Sequence, residues 1–172
     1  MKALLVFFLL AAPAFAQDPA STSSGIAACG PANVKFAVKE DKAQQSRTQL
    51  EPGKALVYVI EDYAAVCLVG CATVRVGLDG AWIGANQGHT YFFFTVTPGE
   101  HHLCSNWQSS LERYSSMYSL ANFTAEAGKA YYFRTRAWFS YQVPRFDLEA
   151  LSSDEGNYLV AASPRAFSHP KK

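Results

Sequence analysis

The sequence is short of several things that would declare a function. It has almost no net charge: 15 lysines and arginines stand against 14 acids in 172 residues. Nothing therefore draws the chain to nucleic acid or to anionic lipid by a long-range field. The only basic cluster is the terminal pair Lys171 and Lys172, too little for a nucleic-acid footprint. No apolar run reaches the ~20 residues that a membrane-spanning helix requires. No glycine-rich loop is present to cradle a phosphate or a dinucleotide. No G-x-S-x-G elbow presents a nucleophilic serine. Cys67 and Cys71 are separated by three residues, so there is no redox C-x-x-C motif. Candidate bases are scarce, because the only histidines are His89, His101, His102 and His169. There is no internal repeat, and no composition shift that would mark a second domain.

The N-terminus is what the chain does have. Met1-Lys2 is followed by the apolar run Ala3 to Ala12, then Pro13 and the small-x-small site Ala14-Phe15-Ala16. This anatomy predicts a secretory signal peptide over residues 1–16 rather than a retained anchor. Its removal leaves 156 residues with 14 basic and 14 acidic side chains, a one-domain length. Residues 17–28, rich in Ser, Thr, Ala and Pro, read as a flexible lead-in. Ile26-Ala27-Ala28-Cys29 has the form of a lipid-attachment box, which would give a lipid-anchored form through Cys29. The polar stretch Gln17 to Gly25 separates it from the apolar run and argues against that route. The expected location is the periplasm or the exterior.

An exported chain with four cysteines is expected to form disulfides, and four allow three pairings. The favoured one closes Cys67 with Cys71 and ties Cys29, at the start of the domain, to Cys104.

Along the rest of the chain, period-2 patterning dominates. Val34, Phe36 and Val38 alternate with Lys35, Ala37 and Lys39 in a half-buried strand. Lys54 to Ile60 is nearly continuous in β-formers, which suggests a central strand covered on both faces. Thr73 to Leu78 meets Asp79-Gly80 and a short strand Ala81 to Gly84, with Asp-Gly supplying the positive φ of a tight hairpin turn. Asn86 to Gly88 then turn the chain into a strand His89 to Val96. Thr97-Pro98-Gly99-Glu100 leads to His101–Trp107, expected to return beside it as a second hairpin. Further strands are expected over Leu120–Ala125, Lys129–Phe139 and Pro144–Leu151. Ser152-Ser153-Asp154-Glu155 has the form of a capping box opening one short helix to about Ala161. Residues 165–172 read as a polar tail. The expected fold class is mainly β: an antiparallel β-sandwich of about eight strands with one short C-terminal helix, in a single domain over residues 29–164.

The ordered set of turns carries a resemblance. Gly53-Lys54-Ala55 runs into Tyr58. Asp79-Gly80-x-x-Ile83-Gly84, Gly88-x-x-Tyr91-Phe92, Val96-x-Pro98-Gly99-x-His101 and Ala127-Gly128-Lys129-x-Tyr131-Tyr132 follow in order. From Gly53 to about Leu159 the chain resembles a bacterial family of unknown function, the one numbered 2846, whose members look like small exported or lipid-anchored β-sandwich proteins. It is more distantly similar to short PEGA-type surface modules. The resemblance implies an envelope setting and brings no catalytic or binding residues with it.

Candidate chemistry is thin. His101 and His102 are adjacent, so they point to opposite faces of a strand. A hydrolase would have to use one of them with a nearby carboxylate. His102 and Cys104 share a face, but no further zinc ligands accompany them. No cofactor is expected. The aromatic residues are more informative. On the strand at residues 129–139, Tyr131, Phe133, Thr135, Ala137 and Phe139 share one face and read as core. Tyr132, Arg134, Arg136 and Trp138 share the other. That face is suited to stacking on sugars, gripping acidic groups or contacting a protein, and it reads equally as cross-strand packing. Tyr91 to Phe94 reads as buried on both faces. The expectation is a non-enzymatic binding or structural module of the bacterial envelope, contacting a protein or a cell-wall glycan through Tyr132, Arg134, Arg136 and Trp138. The competing expectation is a secreted hydrolase.

Overall fold

The structure, a computed structural model, describes residues 27–41, 50–62, 71–140 and 143–172, without the Phe139 side chain. The signal segment at residues 1–16, most of the lead-in and Cys67 lie outside the described residues. The described chain forms ten strands and two helices. The strands are β1 (Phe36–Asp41), β2 (Ala55–Glu61), β3 (Thr73–Leu78), β4 (Ala81–Gln87), β5 (Tyr91–Val96), β6 (Gly99–Gln108), β7 (Tyr118–Ala125), β8 (Ala130–Ser140), β9 (Val143–Leu151) and β10 (Arg165–Pro170). The helices are α1 (Glu112–Ser115), between β6 and β7, and α2 (Ser153–Ala162), between β9 and β10.

Two sheets face one another. One runs β1-β10-β5-β2-β8-β9 and the other β4-β3-β6-β7. The fold is thus the expected β-sandwich, with two strands and one helix more than expected. It is not purely antiparallel, because β2 pairs with β8, and β10 with β5, in parallel. Alternation decides which side chains meet between the sheets. Val57 and Val59 of β2, Phe92 of β5, Phe133 of β8, Val76 of β3 and Leu103 of β6 form the main apolar cluster. β2 lies in the middle of its sheet, as its near-continuous apolar run requires.

Serine side chains join the two sheets at either side of the sandwich. The Ala85 N–H of β4 donates to Ser168 Oγ of β10 at 2.9 Å. The Leu148 N–H of β9 donates to Ser119 Oγ of β7 at 2.9 Å.

Three expectations are corrected. Only the first of the two consecutive hairpins exists. β3 and β4 pair across Asp79 and Gly80, both at positive φ. β6, by contrast, pairs with β3 and β7 and not with β5. Pro98-Gly99 reverses the chain, but it does so between sheets: Phe92 and Val96 bury against β2's layer, while Leu103 buries from the opposite sheet. Asn86 and Gln87 belong to β4, and the turn begins at Gly88, whose φ is +68°. Finally, residues 165–170 are not a tail. They form β10, antiparallel to β1 over its whole length, with Ala166 buried. Arg165, Phe167 and His169 alternate with Ala166 and Ser168, a strand period that the polar composition hid.

The N-terminal segment is strapped across the outward face of β6 by three residues at strand spacing. Cys104 is disulfide-bonded to Cys29, as favoured from the sequence. Asn106 Oδ1 accepts from Arg75 Nε at 3.0 Å, and the same guanidinium donates to the carbonyls of Ala32 at 3.1 Å and Val34. The Gln108 side-chain amide accepts from Phe36 N–H at 2.6 Å and donates to Phe36 C=O at 2.9 Å, as a neighbouring strand would. Arg75 is 4% exposed and meets backbone and amide oxygens instead of a carboxylate. Trp82 stacks on it with the guanidinium carbon 4.4 Å from the ring centre, and Trp82 Nε1 donates to Pro31 C=O at 2.8 Å. Ala28, expected within the lead-in, is buried here beside Cys29 and Cys104. A sulfur held in this disulfide has no valence left for a lipid, so the Cys29-anchored form is incompatible with the folded strap. Cys71 is also disulfide-bonded.

At the C-terminal end, Ser152 caps α2 by accepting the Glu155 N–H at 3.2 Å, as the capping-box pattern predicts. The helix lies on Tyr132. A Cβ added at Gly156 would fall on the Tyr132 ring.

Two outcomes follow for stability. Cys104→Ser opens a loop of 75 residues and is expected to cost about 4 kcal/mol in the chain-entropy account, read as a lowered denaturation midpoint; reductant should lower the wild-type midpoint at least as far, since it also opens the disulfide at Cys71. Gly156→Ala, which improves helix propensity, is nonetheless expected to destabilise by roughly 1–3 kcal/mol through overpacking on Tyr132. A gain in melting temperature in that variant would contradict the close packing of α2.

Candidate functional site

Chemistry-bearing side chains gather in three places. The first is the β3–β4 hairpin end. His101 Nδ1 is 2.7 Å from Asp79 Oδ2, and His101 Nε2 is 2.8 Å from the Thr97 carbonyl. Both partners are acceptors, so the ring fits best as an imidazolium donating from both nitrogens. Burial opposes that charge, but the hydrogen bonds to Asp79 and Thr97 and the Asp79 carboxylate outweigh it and raise the His101 pKa above 6.5. Burial likewise works against the Asp79 carboxylate. The His102 N–H, which donates to Asp79 Oδ1 at 2.8 Å, and the His101 contact outweigh it and hold Asp79 below 3.8. An Asp-oriented histidine is half of a hydrolytic arrangement. Here the second nitrogen is spent on a carbonyl, and His102, on the opposite face, is exposed. A cavity of about 300 Å³ lies beside it, lined by Ala27, Ala28, Asp79 and His102. Cys104, which shares a face with His102, is unavailable as a ligand because of its disulfide.

The second place is interior. Thr135 on β8 lies between Phe133 and Ala137, and Ser105 on β6 lies between Leu103 and Trp107; each pair belongs to different apolar clusters. At this level the core is polar. Glu61 continues the inward face of Val57 and Val59, stands opposite Thr135 in register, and is fully buried. Asn86, also fully buried, donates to the Val59 carbonyl at 2.9 Å. Neither carboxylate oxygen of Glu61, nor Asn86 Oδ1, meets a hydrogen-bond donor among the described residues. Desolvation drives the Glu61 pKa well above its usual 4.5, with the nearby Gly88 N–H only partly offsetting it. Sequence reading missed Glu61. Its signal was an acid at an inward position of an apolar strand.

The third place is the outer face of the six-stranded sheet, which carries Tyr132, Arg134, Arg136 and Trp138. The structure puts these four on one face, as expected, but in different surroundings. Tyr132 is 7% exposed, stacked on Tyr58 at 5.1 Å and covered by α2, with its hydroxyl donating to Asn157 Oδ1 at 2.8 Å. Arg134 is held by Glu149, by Glu155 at 2.8 Å and by Asp62 at 3.7 Å. Arg136 reaches Asp62 at 3.2 Å. Asp147, opposite Arg136 in register, has its pKa raised by burial and by neighbouring Glu149. Two arginines here face four acids, so both cations are already countered and this end of the face has acid in excess. Trp138 lies half-buried opposite Arg145.

The same face continues over β5 and β10 with residues that sequence reading placed elsewhere. Phe93, expected to be buried, is half-buried and outward. The Arg165 guanidinium lies 4.2 Å from the Phe93 ring and 4.5 Å from the Phe167 ring. Phe167 is 43% exposed. Among the described residues Arg165 makes no ion pair, and its Nε has no hydrogen-bond partner. Tyr58 extends the row, 5.8 Å from Phe93.

The buried acid yields a pH prediction. A carboxyl whose folded pKa is raised lends stability that is fully present below the unfolded value near 4.5 and is lost as pH rises through the folded value. Wild type should therefore lose stability against Glu61→Gln as pH rises from about 4.5 towards neutrality. A stability difference that does not vary with pH would mean that Glu61 ionises normally.

Comparison with known proteins places this architecture. An uncharacterized protein of Haemophilus influenzae is 26% identical over 145 residues, an alignment that covers 84% of this chain and 79% of the relative. No helix among the described residues is long and apolar enough to cross a membrane, and the Cys29–Cys104 disulfide is compatible with an exported protein. Residues 51–147 match the family described as protein of unknown function (DUF2846). That match takes in β2 to β8 and most of the facing surfaces, more than half of the chain, and the chain belongs to the DUF2846 family.

Proposed function

We propose that the protein is an exported, non-enzymatic binding module of the bacterial envelope whose contact surface is the outer face of the six-stranded sheet. The observation that carries this reading is the contrast between two sets of arginines on one face. Arg134 and Arg136 are saturated by acids, whereas Arg165 is clamped between Phe93 and Phe167 without a carboxylate partner among the described residues. A guanidinium stacked on rings has its donors pointing edge-on, ready for an incoming acceptor, and aromatic and arginine side chains lead the residues that anchor partners. The contact surface of this reading is therefore centred on β5 and β10, with Trp138 at the far end of the same face. A hydrolase would have to work through His101 and Asp79. Both His101 nitrogens already face acceptors, which favours binding over hydrolysis.

Cross-linking capture from native envelope extract tests it. Wild type should retain a component that the double variant Arg165→Gln, Phe167→Ala loses, while Leu120→Ala, an exposed change on the opposite sheet, retains it. Capture that survives in the double variant would remove this face from consideration, as would turnover of a substrate that depends on His101.

A further inference from the structure

We propose that the outward face of the β1–β10 ribbon docks the protein onto an anionic lipid surface through lysines. The proposal goes beyond the reading just given and does not rest on Arg165. Alternation sets the face. Phe36 of β1 and Ala166 of β10 point into the sandwich and are buried, so Lys35, immediately before β1, and Lys39 point outward. Lys39 stands opposite Phe167 in register. Just beyond β10 the Lys171 N–H donates to the Lys35 carbonyl at 2.7 Å, which sets these two residues opposite each other. Lys172 follows. All four lysines are exposed, and none enters an ion pair among the described residues. Elsewhere, Lys54 is paired with Glu51 at 2.6 Å and Lys129 with Glu126 at 2.7 Å.

The near-zero net charge of the chain conceals this cluster, because its members come from opposite ends of the domain. Lys35 and Lys39 are ~13 Å apart along the strand, and Lys171 is one strand spacing, ~4.8 Å, from Lys35. Those separations are comparable to the Debye length of about 8–10 Å, so the ammonium groups act on a charged surface together. Among the described residues of the ribbon, Asp41 is the one acid on the outward face, at the end opposite Arg165. Residues 42–49, which follow β1, contain no acid. Glu149 lies on β9, at the other edge of the six-stranded sheet, roughly 24 Å away at five strand spacings. Lysine on an edge strand also discourages pairing with other chains. That accounts for Lys35 and Lys39 and leaves Lys171 and Lys172 without a reason.

Shape and chemistry select the occupant. β10 leaves β5 after the single pair Arg165–Tyr91 and leans to β4 through Ser168. The ribbon thus forms a side wall of the sandwich, with its lysines on an exposed surface open to a planar partner. An ammonium is a compact, strongly hydrated point charge without the planar fork of arginine. It suits the diffuse negative potential of a headgroup layer, where each lysine near the surface adds to the attraction. The centre of a protein–protein interface is depleted in lysine, and duplex nucleic acid calls for a longer basic track.

Co-sedimentation of the disulfide-bonded protein with phosphatidylcholine vesicles, with and without phosphatidylglycerol, tests the proposal. Binding to phosphatidylcholine alone reports any apolar contribution of the chain. Wild type should bind the phosphatidylglycerol vesicles more tightly, and added salt should remove the difference. Each lysine near an anionic surface is worth about fivefold in partition. Lys39→Gln with Lys171→Gln should therefore lose roughly 25-fold on the anionic vesicles. Lys54→Gln with Lys129→Gln, which removes the same charge from paired lysines elsewhere, should bind as wild type does. Each variant is admitted only with an intact disulfide and a wild-type melt. Equal binding of wild type to both kinds of vesicle, or wild-type binding by the Lys39, Lys171 variant, overturns the proposal. So does lysine-dependent binding to duplex DNA or to an acidic polysaccharide by a protein that ignores the vesicles. Envelope capture reads Arg165 and Phe167 whereas vesicle binding reads the lysines, so failure of either reading is scored separately from the other.

Discussion

The arrangement on which the rest depends is the strap across the outward side of β6. Cys104, Asn106 and Gln108 are two residues apart, so they share a face, and each holds a different point of the N-terminal segment: Cys29 by a disulfide, Ala32 and Val34 through Arg75, and Phe36 by a strand-like pair of hydrogen bonds. Phe36 begins β1, β1 pairs along its whole length with β10, and β10 carries Arg165 and Phe167. The strap therefore sets the position of the residues at the β10 end of the outer face. β10 meets β5 at a single register pair, Arg165 with Tyr91, so most of its placement comes from β1. A disulfide at the far side of the molecule is coupled in this way to the geometry of a surface that it does not touch.

The interior shows the opposite economy. Arg75 is a buried cation held by carbonyl and amide oxygens and a tryptophan face, with no carboxylate among the described residues. Desolvation lowers its pKa, but guanidinium remains charged in any ordinary environment. Glu61 is a buried acid with no cation beside it among the described residues, and desolvation raises its pKa despite the nearby Gly88 N–H. The two groups lie on opposite sides of the four-stranded sheet. Arg75 faces outward under the strap, while Glu61 faces inward in the polar layer between two apolar clusters. Each meets desolvation differently, one through several neutral acceptors and the other through a raised pKa.

Much of the fold was legible in the sequence. Alternating patterns located most of the strands, the Asp-Gly turn identified the β3–β4 hairpin, and the capping box located α2. The site was less legible. Tyr132, Arg134, Arg136 and Trp138 do share the outer face, because period-2 alternation is a local property of the chain. What they are free to do depends on what covers them. α2 lies on Tyr132, and Asp62 just after β2, Glu149 of β9 and Glu155 of α2 meet the arginines. None of these neighbours is close in sequence. Phe93 read as buried because an unbroken aromatic run shows no polar face, and Arg165 and Phe167 read as tail because a short polar strand at a chain end resembles a disordered one.

By itself, the sequence determined the alternation of side chains on each strand, the turn at Asp79-Gly80, the helix cap at Ser152 and the β class, since these follow from backbone sterics and hydrogen bonding within a few residues. Only the tertiary structure decided which strands pair, that β6 joins the sheet opposite β5, that β10 bridges β1 and β5, and that Cys29 meets Cys104. Those choices are made by burial, which compares distant segments for the same apolar face. They leave Arg165 between two rings and without an ion pair among the described residues, an outcome that no local pattern in the chain encodes.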